Sequence, residues 1–183
     1  MPRLRQRFTV LLAAALAVSL ALPLFPSTAA PATVPRSASA AGLLQRLPAD
    51  LRPLVQELQR HGFRVMLARP PAAGVYGQFV AASRTLWLAP IAFELGIGRQ
   101  TLLHEAVHAL QSCPTGRLSP IGWRFRLEPV VQREIEGILH TRYHHGQRLL
   151  ELEAFALQGQ PDAAARLIAG LRQRCRRVAG SSG

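Results

Sequence analysis

Apolar residues recur at two different spacings along this chain, and the spacing changes partway through it. Over residues 63–88, short runs rich in β-branched and aromatic residues are separated by Pro, Gly and Ser, a pattern typical of strands joined by turns. From Thr101 onward, apolar residues recur every three or four positions, which is typical of amphipathic helices. Leucines at helical spacing before Gly62 indicate an earlier helix, or a bent pair interrupted by Pro48 and Pro53.

The predicted elements follow in the order helix, strands, helices. We expect strands over residues 63–67, 75–81 and 85–88, forming a small antiparallel sheet. We expect the later helices over residues 99–111, 128–143, 147–158 and 161–177. This order predicts one α+β domain over residues 43–178, with the sheet packed on a bundle of about four to five helices, and a disordered tail at 179–183.

Residues 1–30 have the pattern of a targeting segment rather than of a folded domain. Three arginines precede an apolar run over 10–25, and small residues suited to cleavage follow over 27–30. This order predicts a secretory signal peptide, and so a secreted or periplasmic protein. An uncleaved membrane anchor is the alternative, because the apolar run is near the lower length limit for a span. Residues 31–42, rich in Pro, Ala and Ser, are expected to form a flexible leader.

Export changes the interpretation of the only two cysteines, Cys113 and Cys175. An oxidising compartment favours joining them, so we expect a disulfide. Two buried free thiols are the alternative.

The net charge is +12, which falls to +9 when the three arginines of residues 1–30 are removed, and the chain contains no lysine. Such a charge could indicate an anionic partner. The arginines are scattered, apart from a short cluster over residues 172–177, and no aromatic stacking pattern accompanies them. We therefore expect a solvated basic surface, no nucleic-acid partner, and contact with a membrane only through an uncleaved signal. No sequence feature indicates an oligomeric state.

The segment His104-Glu105-Ala-Val-His108 has the residue types and the spacing of a zinc site. Residues i and i+4 of an α-helix lie on one face, so both imidazoles point to one place. Catalytic zinc takes three protein ligands and an open position for water, which Glu105 could deprotonate. Histidines that are merely hydrogen-bonded in a core helix are the alternative. Because the flanking residues are apolar, three such polar side chains would be costly to bury without a strong partner, and this favours zinc.

The third ligand has to come from another element, and the later helices offer carboxylates on apolar faces. Glu153 lies on the apolar stripe of its helix, whereas Glu151, two positions earlier, lines up with more polar neighbours. We therefore expect Glu153 to point inward, towards the metal. Glu134 also lies among apolar residues. It is an alternative ligand, a group that orients a ligating histidine, or a core acid paired with Arg84 or Arg148.

Three further histidines lie near the junction of two predicted helices. His140, His144 and His145 are possible ligands. His144 and His145 adjoin Gly146, so we expect both at a solvated helix end.

The HEAVH segment, followed further along by Glu153 and Ala154 on a helix, resembles the gluzincin metallopeptidases. The Glu-Ala pair is similar to the third-ligand helix of the membrane CAAX-type peptidases and their small soluble relatives, which carry an aspartate where Phe155 stands here. The resemblance covers about residues 63–160 and implies a minimal zincin-like domain. It implies one zinc ion with three ligands and a general base, which are His104, His108, Glu153 and Glu105.

The resemblance also implies how a substrate is held. The strand at 85–88 would be the sheet edge beside the site, where an extended peptide pairs. Tyr143, His144 or His145 would stabilise the transition state. We therefore expect an exported zinc metallopeptidase acting on a peptide or protein substrate. A zinc-binding module without turnover and a basic envelope-binding domain are the alternatives.

Overall fold

The computed structural model describes residue 45, residues 47–142 and residues 145–175, apart from the side chains at 142 and 145. The expected signal peptide, leader and tail lie outside the described residues, and so do Tyr143 and His144. Six α-helices and a three-stranded sheet make up the described part of the chain, which confirms the predicted α+β class. None of these helices is long and apolar enough to cross a membrane.

The four helices from Gly98 onward lie close to their predicted bounds. The six helices are α1 (Arg52–Arg60), α2 (Pro90–Glu94), α3 (Gly98–Gln111), α4 (Pro129–Arg142), α5 (His145–Gln158) and α6 (Ala163–Arg174). A 3₁₀ turn, Ala49–Leu51, leads into α1. α1 and α2 carry a proline in their first turn, where the missing N–H has no partner to lose. The hydrophobic pattern does not predict α2, because five residues are too few to show a helical period.

The three strands are β1 (Arg64–Leu67), β2 (Gly77–Val80) and β3 (Thr85–Leu88). They lie in the order β1-β3-β2, with β2 antiparallel and β1 parallel to β3. The prediction of an antiparallel sheet is therefore wrong for β1. Only β2 and β3 are joined by a short turn. The chain runs from β1 to β2 first and then returns as β3, which lies between them and pairs with β1 in parallel.

The expectation that residues 85–88 form the edge of the sheet is also wrong. β3 is the central strand, and β2 is an edge strand. The 3₁₀ turn Ala81–Ser83 and Arg84, whose φ of 49° is left-handed, reverse the chain so that β3 returns against β2. The burial of β3 agrees with its central place, since Leu86 and Leu88 are fully buried.

The centre of the molecule is α3, the helix that carries the HEAVH segment. It packs against β2 and β3 and also against α2, α5 and α6. Its buried apolar side chains point in several directions around the helix, and these are Leu102, Leu103, Ala106, Val107, Ala109 and Leu110. A helix that is apolar on nearly all sides belongs in a core. The histidines of α3 are therefore held on the most enclosed element of the fold.

Cys113 and Cys175 form a disulfide, which joins the chain just after α3 to the end of α6. Beside it, the guanidinium of Arg174 donates to the carbonyl of Cys113 at 2.8 Å and to the hydroxyl of Ser119 at 2.7 Å. Residues 120–128, the segment after Ser119, have no regular secondary structure, and Trp123 and Phe125 of this segment pack against the core. The disulfide and Arg174 thus hold the start of this segment against α3.

Candidate metal site

His104 and His108 lie one turn apart on α3, and their rings meet edge to face with centroids 4.9 Å apart. The two Nε2 atoms are 3.2 Å apart. Both side chains are largely buried, with 13% and 10% of their surface exposed. The spacing of four residues therefore brings two nitrogen ligands to one point.

The third group at this point is Glu151, on α5. Its Oε2 lies 3.1 Å from Nε2 of His104, and its Oε1 lies 3.5 Å from Nε2 of His108. Among the described residues, His104, His108 and Glu151 are the one group of three side chains placed to share a metal ion, with ligand atoms within 4.8 Å of one another.

Glu153, the expected third ligand, does not lie at this point. It is buried, with 3% of the residue exposed, as its apolar neighbours predict. Its carboxylate accepts hydrogen bonds from the backbone N–H groups of Ile121 (2.8 Å) and Gly122 (2.6 Å) and from the amide of Gln111 (2.9 Å). An apolar stripe marks the side of a helix that faces the core, whereas a site open to water and substrate lies where the core ends. The face of Glu151, which is more polar, is the one that meets the histidines.

The amide of Gln111 determines which nitrogen of His108 faces the site. Both N–H bonds of this amide are used, to the carbonyl of Leu150 at 2.9 Å and to Glu153 at 2.9 Å. Its oxygen is therefore the atom 2.8 Å from Nδ1 of His108, and Nδ1 has to carry the proton. The unprotonated lone pair is then on Nε2, the atom that faces Glu151.

Gln158 contacts the other histidine. Its side-chain oxygen lies 3.1 Å from Nδ1 of His104, and an N–H on this Nδ1 would donate to that oxygen and leave Nε2 as the acceptor. Two imidazole nitrogens and a carboxylate consequently face one another. Groups of these types at such distances are held together by protons on the imidazoles or by a metal ion that they share.

The spacing of these atoms fits a zinc ion. Bonds of about 2.0–2.2 Å in a tetrahedral arrangement place neighbouring ligand atoms about 3.3–3.5 Å apart. The two Nε2 atoms are 3.2 Å apart, which is close to this value. Each of them lies near a different oxygen of Glu151, Oε2 at 3.1 Å from His104 and Oε1 at 3.5 Å from His108, so the carboxylate would bind an ion through both oxygens or turn to offer one. Two imidazoles and one carboxylate are also a common set of protein ligands in catalytic zinc sites.

The charges at the site couple Glu151 to the two histidines. Burial acts to raise the pKa of Glu151, but the hydrogen bonds and charges of His104 and His108 lower it to about 2. Burial acts to lower the pKa of His108, but its hydrogen bond to Glu151 and the charge of that carboxylate raise it overall. Glu151 is therefore ionised at neutral pH, as a carboxylate ligand has to be.

Glu105, next to His104, is buried at 7% exposure beneath strand β2. Burial raises the pKa of this carboxyl group, against the opposing effect of the nearby His104 and His108. The strand passes close because Gly77 has no side chain. A Cβ there would lie 2.8 Å from Oε1 of Glu105 and 2.5 Å from Cγ2 of Thr101.

The remaining predicted site residues do not join this group. Glu134 is exposed on α4, although its apolar neighbours suggested a core acid. Those neighbours include Val130 and Val131, which are themselves exposed. Arg84, one of its suggested partners, instead donates to the carbonyl of His61 and lies over the ring of Phe63.

His140 is also exposed on α4. The side chains of Tyr143, His144 and His145 lie outside the described part of the chain. The ring of Phe155 packs edge to face on His104, with centroids 4.8 Å apart.

Sequence reasoning missed Glu151, Gln111 and Gln158. One signal for Gln111 was available, since it follows His108 by three positions and so lies on the same face of α3. Gln158 follows Glu151 by seven positions, two helical turns, and so lies on the same face of α5. No comparable signal marks Glu151 against Glu153.

No protein family, curated protein or solved structure matches this chain. Its function therefore has to be inferred from the residues and from their geometry.

Proposed function

We propose that this protein is a zinc-dependent hydrolase that cleaves peptide bonds, with His104, His108 and Glu151 as the metal ligands. The observation that carries the proposal is the convergence of two Nε2 atoms and one carboxylate at 3.1–3.5 Å, with Glu105 buried beside them. The HExxH pattern and its resemblance to gluzincins support the same reaction. In this proposal Glu151 takes the place of Glu153 in the ligand set.

Glu105 is the proposed general base. A bound zinc ion would polarise the scissile carbonyl and acidify a water molecule. The Glu105 carboxylate then takes the proton of the attacking water and passes it to the leaving nitrogen. Burial raises the pKa of this group, which brings it closer to working pH and makes it better suited to return the proton.

An extended peptide is the proposed substrate because of the strand that lies over Glu105. In the described part of the chain, β2 pairs with β3 on one side only. Gly77 of β2 contacts Glu105 closely, so the free edge of this strand runs past the proposed base. A peptide that added to this edge through main-chain hydrogen bonds would pass beside the metal ligands.

We also propose that residues 1–30 direct export. The Cys113–Cys175 disulfide supports this proposal, since such bonds persist in oxidising compartments. Determining the N-terminal residue of protein recovered from the periplasm or the medium tests it, and a mature chain that retains Met1 would contradict cleavage.

Metal content and turnover test the function separately. The purified protein should contain one zinc ion per chain by elemental analysis and should hydrolyse members of a broad peptide library. Glu105→Gln should retain zinc and lose hydrolysis, whereas Glu134→Gln, a matched change on the exposed face of α4, should retain both. A zinc-loaded protein with no activity on any peptide would support a binding module, and a protein without affinity for zinc would contradict the proposal altogether.

A further inference from the structure

The carboxylate of Glu153 is the most completely used acceptor near the proposed site, yet it contacts neither histidine. Its two oxygens accept three N–H groups, from Gln111, Ile121 and Gly122. With 3% of the residue exposed, it has little access to water. Burying such a group is costly unless its bonds are made, so the surrounding structure depends on all three.

We infer that Glu153 is a positioning residue for the proposed zinc site, acting on His108 through the amide of Gln111. This inference rests on the proposed function, because it concerns the orientation of a zinc ligand. The chain of contacts is short: Glu153 Oε2 to Gln111 Nε2 at 2.9 Å, and Gln111 Oε1 to His108 Nδ1 at 2.8 Å.

The chemistry of an amide explains why Glu153 is needed. Oxygen and nitrogen of the Gln111 side chain have nearly the same shape, so packing alone does not decide which of them faces His108. If the nitrogen faced His108, it would donate to Nδ1 and leave the ring proton on Nε2. That tautomer has no lone pair to offer a metal ion. Glu153, which only accepts, together with the carbonyl of Leu150, holds the amide in the orientation that frees Nε2.

The same carboxylate joins this amide to the segment after Ser119. The N–H groups of Ile121 and Gly122 are backbone groups of this segment. The hydrogen bond from Arg174 to Ser119 holds the start of the segment in place. These two donors cannot turn away as a side chain can. When an acceptor at position 153 is lost, the side chain of Gln111 is the partner free to rotate.

The decisive variant is Glu153→Gln. The new amide has the size of the carboxylate but offers one acceptor oxygen in place of two. The two backbone donors lie on opposite oxygens, Ile121 at Oε2 and Gly122 at Oε1, so the N–H₂ group has to face one of them, and the amide of Gln111 competes for the oxygen that remains. We expect the zinc dissociation constant, measured by competition with a chromophoric chelator, to rise about 10- to 100-fold, the usual effect of removing a partner that orients a ligating histidine.

A matched control separates this effect from general loss of stability. Glu57 is equally buried, but its carboxylate accepts from Arg60 and Arg172, on α1 and α6. Glu57→Gln should change the zinc dissociation constant less than about twofold, because distant and independent sites do not couple. An equal loss of affinity in both variants would overturn the inference.

A double-mutant cycle tests whether Glu153 acts through Gln111 or only by holding the segment after Ser119. Gln111→Ala should weaken zinc binding by about as much as Glu153→Gln, and the double variant should be no weaker than either. Losses that multiply in the double variant would overturn the inference. If Glu153→Gln does not fold, Gln111→Ala alone decides, since an affinity equal to that of the unmodified protein contradicts the proposed link.

The results also distinguish this inference from the proposed function. A native protein that binds no zinc contradicts both. A native protein that binds zinc and hydrolyses peptides, combined with unchanged zinc affinity in both Glu153→Gln and Gln111→Ala, contradicts the inference alone.

Discussion

Glu151 and Glu153 are two residues apart on α5, and their carboxylates face different partners. Glu151 lies 3.1 Å from Nε2 of His104, whereas Glu153 accepts the backbone N–H groups of Ile121 and Gly122. Residues at i and i+2 of a helix point about 200° apart, so one of the two had to turn away from the histidines. In the proposed zinc site, this difference makes Glu151 the metal ligand and Glu153 the residue that supports a ligand.

This division predicts distinct results for the two glutamates. Glu151→Ala should lose zinc affinity by more than the roughly 100-fold that a supporting residue costs, because it removes a ligand rather than a partner of one. Isothermal titration of the metal-free protein with zinc would measure this loss. Glu134→Ala, on the exposed face of α4, is the control. Retained zinc affinity in Glu151→Ala, with loss in Glu153→Ala, would restore Glu153 as the ligand.

Gly77→Ala should reduce hydrolysis far more than zinc binding. The added methyl group would lie 2.8 Å from Oε1 of Glu105 and 2.5 Å from Cγ2 of Thr101, so the proposed base or strand β2 has to move. A displacement of about 1 Å at such a group can cost about 100-fold in turnover. Steady-state kinetics and zinc content, measured on the same preparation, would check this.

The control for that variant is Gly137→Ala on α4, where an added Cβ meets no atom within 4 Å. It should leave turnover unchanged and stabilise the helix by up to about 1 kcal/mol. Full activity in Gly77→Ala would show that Glu105 does not act from beneath β2.

The free energy of unfolding should depend on pH through the carboxyl group of Glu57. The hydrogen bond from Arg172, which outweighs the effect of burial, helps to lower the pKa of this carboxyl from 4.5 to about 2. Its ionised form therefore stabilises the fold above pH 4.5, and this contribution is lost as the pH falls towards 2. At pH 7, Glu57→Gln should lower the free energy of unfolding by about 1.5 kcal/mol. Urea unfolding at pH 7, 4 and 2.5 should show the difference from the native chain shrinking, and a constant difference would contradict this origin.

Reduction of the disulfide should lower the free energy of unfolding by a large amount. Cys113 and Cys175 are 62 residues apart, and closing a loop of that length stabilises a fold by about 4 kcal/mol in the chain-entropy treatment. Urea unfolding of the double variant Cys113→Ser, Cys175→Ser should show a loss of this size. Adding a reductant to the native protein should give a similar loss but leave the double variant unchanged. Equal stability of the two proteins without reductant would indicate that the disulfide restrains little of the unfolded chain.

The fold was predictable where its cause is local. The spacing of apolar residues predicts the helices from α3 to α6. Short runs of strand-forming residues, separated by turn residues, predict the three strands. The order of the strands was not predictable in this way. The runs at 63–67 and 85–88 both show that a strand forms, but neither shows that the two pair in parallel with β3 in the centre. Pairing joins residues that are far apart in the sequence, so the pattern within one strand does not specify its partner.

The sequence by itself determined the unit of His104, Glu105 and His108. One turn of helix is a local structure, so a spacing of four residues is enough to bring the two imidazoles together. Only the tertiary structure decided which carboxylate completes the set. Glu151 and Glu153 lie on the same helix, and an apolar stripe shows which face enters the core but not where the neighbouring helix places its histidines. The packing of α5 on α3 brings Glu151 to the two Nε2 atoms, and it leaves Glu153 to hold the amide that orients one of them.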